Sequence, residues 1–163
     1  MDDDQSDEQL QDFWTSAQRY ADIGDLDVVM GRQWGQALPP PAWSFGDTLE
    51  LADQLLELVL NGHKTATTGL HQEYVDGDEP LPQKGDLSII TDSAGQPRVL
   101  IRDVDVQVIR VGDVTQSQVD AEGEGDDLDA WRETHCAVWQ QAGYEVGDDT
   151  LVVWERFKVL YTA

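Results

Sequence analysis

The chain predicts an α+β domain, with helices grouped before and between β segments around a twisted or barrel-like sheet. Three observations predict it. Residues 8–21 and 48–61 place apolar side chains at three- and four-residue intervals. Residues 86–91 and 98–111 are β-rich and are separated by Asp92-Ser93-Ala94-Gly95, the composition of a hairpin turn. Residues 151–161 supply a last strand. At 163 residues with 40% hydrophobic content and six Trp, there is enough apolar material for one real core.

Taken in order, residues 1–6 read as a frayed acidic tail. Leu10, Phe13, Trp14, Ala17 and Ala21 then mark the apolar face of an amphipathic helix. From there to Asp47, Gly24, Gly31, Gly35 and Pro39-Pro40-Pro41 predict an irregular wrap, anchored by the rings of Trp34, Trp43 and Phe45. In the 48–61 helix, Leu49, Ala52, Leu55, Leu56, Val59 and Leu60 form a broad stripe. Asp47 and Glu50 resemble a capping box, and Asn61-Gly62 is a stop. Val104, Val106 and Val108 alternate with Asp103, Asp105 and Gln107, the period of a half-buried strand. A short helix is expected after Thr115. A longer one near Asp126 carries Leu128, Trp131, His135 and Val138 or Trp139 on one face. Residues 1–42 form an acidic tail, a helix and an irregular extension, and 43–163 form the domain proper.

Thirty-three acids oppose ten bases, for a formal net charge of −23. The first twelve residues hold six acids, yet without them −17 remains, so the acidity is spread along the chain. Such a surface repels itself and other polyanions unless salt screens it, as in a halophile's cytoplasm. Strong electrostatic binding of nucleic acid, which needs Lys and Arg against phosphates, is disfavoured. No apolar run approaches the roughly 20 residues that cross a bilayer. The opening residues also lack the basic and apolar regions of a secretory signal. A cytoplasmic protein with no membrane partner is the expectation. Cys136, the one cysteine, forms neither an internal disulfide nor a cysteine metal site.

His63, His71 and His135 have no partners at metal-ligand spacing, and neither a metal nor an organic cofactor is expected. His135 lies on an apolar helix face and reads as a core residue. Its neighbour Cys136 points elsewhere, against a Cys-His nucleophile. Gly123 and Gly125 sit among acids that would repel phosphate. The segment Gly62-His63-Lys64-Thr65-Ala66-Thr67-Thr68-Gly69 is different, because it sets one of only three lysines before three hydroxyl residues at the start of a strand. Thr65 and Thr67 would share one face; Lys64, Ala66 and Thr68 would share the other. A desolvated lysine there suits a base or an anion ligand, while a solvated lysine beside strand-forming threonines fits the same pattern.

WSFGDTLELADQLLELVLNGHKTAT, LPQKGDLSIITD, IRDVDVQVIRVGDVT, AEGEGDDLDAWRETH and WERFKVLY, in that order from Trp43 to Tyr161, resemble the ASCH domain family. The resemblance implies a PUA-like β-barrel with flanking helices, and an association with RNA or modified nucleosides. One ASCH group hydrolyses the amide of N4-acetylcytidine. Its lysine, threonine and glutamate match Lys64, Thr67 and Glu124. In those amidohydrolases Ile-Arg-Asp follows the threonine, where this chain has Thr68-Gly69-Leu70. The resemblance thus implies a small amidohydrolase acting on an acylated nucleoside. The alternatives are a non-catalytic RNA- or nucleotide-binding module and a ribonuclease. In amide hydrolysis, Lys64 would act as base, and Thr67 as nucleophile or as the group that orients a water. Glu124 would orient Lys64 or pass the proton to the departing amine. Burial favours the neutral amine whereas a nearby carboxylate favours ammonium, so the two effects compete. Trp43 and Tyr74 are candidates for stacking on a base, Thr65 for contacting substrate and Arg132 for holding a phosphate or pairing with Glu124. Packing and salt bridges are the competing roles; for Arg102 a salt bridge is the expected one.

If the acidic surface is tuned to salt, the melting temperature should rise as molar KCl is added, because screening relieves self-repulsion. A melting temperature that stays flat or falls in thermal unfolding would identify an ordinary acidic protein.

Overall fold

A computed structural model describes residues 2–21 and 38–163. It holds five helices: α1 (Asp2–Tyr20), α2 (Leu49–Leu60), α3 (His71–Asp76), α4 (Gln116–Glu122) and α5 (Leu128–Gln141). Its five strands are β1 (Ala42–Trp43), β2 (Ala66–Leu70), β3 (Leu87–Thr91), β4 (Pro97–Arg110) and β5 (Leu151–Thr162). The strands form one sheet in the order β1-β3-β4-β5-β2. The α+β expectation holds, but the barrel does not. β1 and β2 are the two edges of an open sheet, and β1, with two residues, offers too little backbone to close it. Among the described residues, no helix is long and apolar enough to cross a membrane.

The chain divides into two compact units, Met1–Leu60 with Gly85–Arg102 and Lys158–Ala163, and Asn61–Lys84 with Asp103–Phe157. In the first, Phe13, Trp14 and Ala17 of α1 bury against Leu87, Ile89 and Leu100, as the helical spacing predicts. Tyr161 meets Phe13 edge to face at 5.2 Å. α1 begins at Asp2, inside the expected frayed tail. Acidic side chains complement the positive end of a helix, so the tail prolongs the helix instead of fraying it. α2 follows its apolar stripe, with Ala52, Leu55, Leu56 and Val59 buried. Its cap is Thr48, whose Oγ1 accepts the Leu51 N–H at 3.1 Å, in place of the expected Asp47. The expected hairpin joins β3 to β4 antiparallel, with Ile89 opposite Leu100. Asp92 Oδ1 accepts the N–H groups of Ala94 and Gln96 in its turn. Trp34, expected as an anchor of the wrap, lies outside the described residues.

The second unit gathers Leu70, Val111, Val114, Val119, Trp131, Trp139 and Val152 into its own core. α4 opens on a capping box between Thr115 and Gln118, and Asp127 caps α5 through the Ala130 N–H. On α5, Trp139 is buried while Val138 is exposed, which decides between the two. The valine face of β4 does not stay buried: Val108 is 44% exposed whereas Asp103 is 5%. Pairing with β3 ends at Leu87 opposite Arg102, and the rest of β4 runs on past that partner. Helix α3, immediately after β2, carries no buried residue and no apolar stripe from which to foresee it.

Phe13→Ala should cost about 3–5 kcal/mol in urea unfolding, the range for emptying a buried aromatic site. Asp12→Ala on the exposed face should stay within about 0.5 kcal/mol.

Candidate functional site

The local path of residues 62–65 builds the site. Gly62 takes φ +84°, turning the chain after Asn61, whose Oδ1 accepts the His63 N–H at 3.1 Å. Thr65 is then fixed on both sides. Its N–H and its Oγ1 both donate to the Ala121 carbonyl at the end of α4, at 2.8 and 3.0 Å, and its own carbonyl accepts the Phe157 N–H at 2.9 Å. α4 stops at Gly123, in the left-handed conformation with φ +70°. A Cβ on Gly123 would lie 2.1 Å from the His63 carbonyl oxygen and 2.8 Å from the Lys64 nitrogen. Glycine is therefore required twice, by its backbone angle and by the close passage of the other segment.

This passage delivers Lys64 into the protein. Its side chain is 2% exposed, and Nζ donates to Glu124 Oε2 at 3.2 Å and to the Glu122 carbonyl at 3.4 Å. The carbonyl belongs to the last turn of α4, where unpaired acceptors favour a cation. Glu124 remains 27% exposed and so links the buried ammonium to solvent. The structure thus brings Lys64 and Glu124 together.

Glu122 was not singled out from sequence, yet it is as buried as Lys64, at 2% exposure. Its Oε2 accepts the Trp131 indole N–H at 2.5 Å. Burial pushes its carboxyl up to about 7; the Lys64 ammonium opposes this rise, and the charge of Glu124 adds to it. Hydrogen bonding from Trp131 and Thr68 also favours the ionised form, although the buried Thr68 Oγ1 makes no bond of full geometry. The signal in the sequence was its spacing, because Glu122 follows the buried Val119 by three residues and so shares its helix face. His135 stacks on Trp131 at 4.4 Å, with Nδ1 2.9 Å from the Trp131 carbonyl oxygen. Desolvation pulls its imidazole below the usual range, with Glu124 and Lys64 among the charges it feels. Burial raises the Cys136 thiol, which works against a thiolate nucleophile.

The other sequence candidates are placed as follows. Thr67 lies in β2, half-buried, opposite Glu155 in the antiparallel pair with β5. Strand alternation sets Thr67 with Gly69 on one face, and Thr68 with Ala66 and Leu70 on the other. Tyr74 packs over Gly69, where a Cβ would meet its hydroxyl at 3.2 Å. Its phenol is pushed well above the usual range by burial and then by Glu155, Glu79, Asp103 and Glu73. Arg132 is committed to structure, donating to the carbonyls of Val111, Gly112 and Val114 around a 3₁₀ turn. Trp43 belongs to the first unit, edge-on to Phe45 at 4.9 Å. Arg102 has a buried Nε without a hydrogen-bond partner among the described residues. No cluster of three His, Cys, Asp or Glu suited to a metal occurs among the described residues.

The ASCH domain model matches residues 41–161, almost three-quarters of the chain. The chain belongs to the ASCH domain family. Two solved structures agree with the assignment. The ASCH domain from Lactobacillus crispatus JV V101 is similar at TM-score 0.69 and 27% identity, over 89% of this chain and 94% of that one. Protein EF3133 from Enterococcus faecalis V583 is similar at TM-score 0.76 and 29% identity, over 93% and 88%. No curated protein matches. Within this ASCH domain, the lysine of the G-x-K-T-x-T segment and the second glutamate of AEGEGD form an ion pair.

Gly123→Ala should destabilise the protein by more than about 1 kcal/mol, since neither its backbone angle nor the His63 carbonyl can yield cheaply. Gly125→Ala, with φ +83° but open space around it, carries only the conformational penalty. Thermal melts of the two variants should therefore differ, with Gly123→Ala the lower.

Proposed function

We propose that this ASCH domain hydrolyses the amide of an acylated nucleoside such as N4-acetylcytidine, with Lys64, Thr67 and Glu124 carrying the chemistry. The observation that supports it is the Lys64–Glu124 pair, an ammonium removed from water and held 3.2 Å from a carboxylate that still reaches solvent. Burying an ion is costly even when it is paired, so a lysine held away from water beside a carboxylate is placed where a proton could be exchanged between them.

In this reading, Glu124 takes a proton from Lys64, and the free amine takes the proton of the Thr67 hydroxyl as Thr67 attacks the acyl carbon. The Lys64 ammonium so formed stabilises the tetrahedral oxyanion. The carbon–nitrogen bond breaks as the Glu124 proton passes to the departing amine, which leaves as cytidine. Water then hydrolyses the Thr67 ester, releases acetate and restores the hydroxyl. Thr65 is a backbone clamp in this scheme, and Tyr74 borders the Thr67 face of β2.

RNA binding and ribonuclease action are the competing readings. They are disfavoured by the net charge of −23 and by the carboxylate that already answers Lys64, since phosphate binding relies on cations available to neutralise it. A neutral nucleoside meets little of that repulsion.

Wild type should release acetate from N4-acetylcytidine. Lys64→Ala, Thr67→Ala and Glu124→Ala, confirmed as folded, should each lose about 100-fold or more in kcat. An inactive wild type that retains RNA in a binding assay at its working salt would overturn the hydrolase reading.

A further inference from the structure

Glu122 is a buried acid for which the reaction above has no role. Its backbone carbonyl accepts from Lys64 Nζ at 3.4 Å, and its side chain is anchored by the Trp131 indole. The groups that act on its carboxyl come from four segments: Lys64 before β2, Glu124 in the loop after α4, Trp131 on α5 and Thr68 in β2. His135, also on α5, stacks on Trp131 and feels the charges of Glu124 and Lys64. The Glu124 carboxylate pairs with the buried ammonium, and the Glu122 carboxyl, two residues earlier, feels the charge of both.

We propose that Glu122 is a positioning residue that acts through Lys64, its carboxyl setting by its own protonation whether the ammonium is surrounded by one carboxylate or two. The consequence for turnover rests on the hydrolase reading. With Glu122 neutral, Lys64 and Glu124 balance and the lysine can release its proton to the relay. With Glu122 ionised, the cluster gains an excess negative charge, and Lys64 holds its proton more firmly. Burial places this change at about 7, so the base step should weaken as pH rises through neutrality.

The test follows two signals of the full-length protein by NMR from pH 5 to 9. One is the Trp131 indole N–H, assigned with Trp131→Phe; the other is Lys64 Cε, one of three lysines and assigned with Lys64→Arg. Both should move with a shared midpoint near 7 in the wild type, and neither should move there in Glu122→Gln. Trp131→Phe removes a donor that favours the ionised carboxyl, so the Lys64 midpoint should shift upward. That variant keeps the test available if Glu122→Gln does not fold. In acetate release, kcat should decline through the same midpoint in wild type and lose that limb in Glu122→Gln. A Lys64 signal that is flat, or that still titrates near 7 in Glu122→Gln, overturns the proposal. If Lys64 follows Glu122 but no acetate is released, the coupling stands and the hydrolase reading alone fails.

Discussion

The second unit is arranged around one demanding requirement, the removal of the Lys64 ammonium from water. An uncompensated buried charge is among the most destabilising features a protein can carry. Here it is answered by a carboxylate and by a carbonyl in the last turn of α4. Reaching that carbonyl obliges residues 63–65 to run against the end of the helix at backbone contact distance. Only glycine at 123 permits such an approach, and the two Thr65 bonds to Ala121 hold it in place. Ion pair, helix stop and strand entry are thus one device, and a change in any part reaches the others.

The same burial that gives the site its character works against stability. Glu122 has its folded-state carboxyl raised to about 7 from an ordinary value near 4.5. Below about 4.5 it is protonated both folded and unfolded, and burial carries no ionisation penalty. As pH rises toward 7, the unfolded chain releases the proton first, so stability falls across that window and levels off above it. Aliphatic packing beside Trp131 would avoid this cost.

Periodicity made α2, α5, the β3–β4 hairpin and β5 legible, because each owes its position to an apolar face that the residue spacing writes out directly. It was silent on α3, which buries nothing, and it misplaced the cap of α2, where Asp47 and Thr48 are adjacent residues with equal chemical claims. The open sheet was beyond reach, since closure depends on edge length and partner, which composition does not encode. At the site, Lys64 stands out in the residues themselves, a rare lysine between a helix stop and a threonine-rich strand, whereas Glu124 is marked only by the resemblance to the ASCH motif. Proximity along the chain misled for Arg132, whose eight-residue separation from Glu124 says nothing about direction once α5 turns its guanidinium onto the 3₁₀ turn. The acidic run reads as a solvated loop, which hides Glu122, although that first glutamate still belongs to the helix.

The placement of β2 bears on how the proposed reaction can proceed. Thr67 and Thr68 occupy opposite faces of the strand; Thr68 lies beside Glu122, and Thr67 shares its face with Gly69, over which Tyr74 packs. Lys64, two residues before the strand begins, is not bound by that alternation. β2 is also an outer strand of the sheet, paired with β5 on one side only. In the proposed reading, a substrate that engages both the Thr67 hydroxyl and the Lys64–Glu124 pair must therefore reach across the start of β2, where the end of α4 is bonded to Thr65. The small, flat, uncharged substrate proposed here need span only one strand width to do so. In the proposed reading a polynucleotide is the poorer fit, because a phosphate reaching this lysine from solvent would meet the part-exposed carboxylate of Glu124 that already pairs with it.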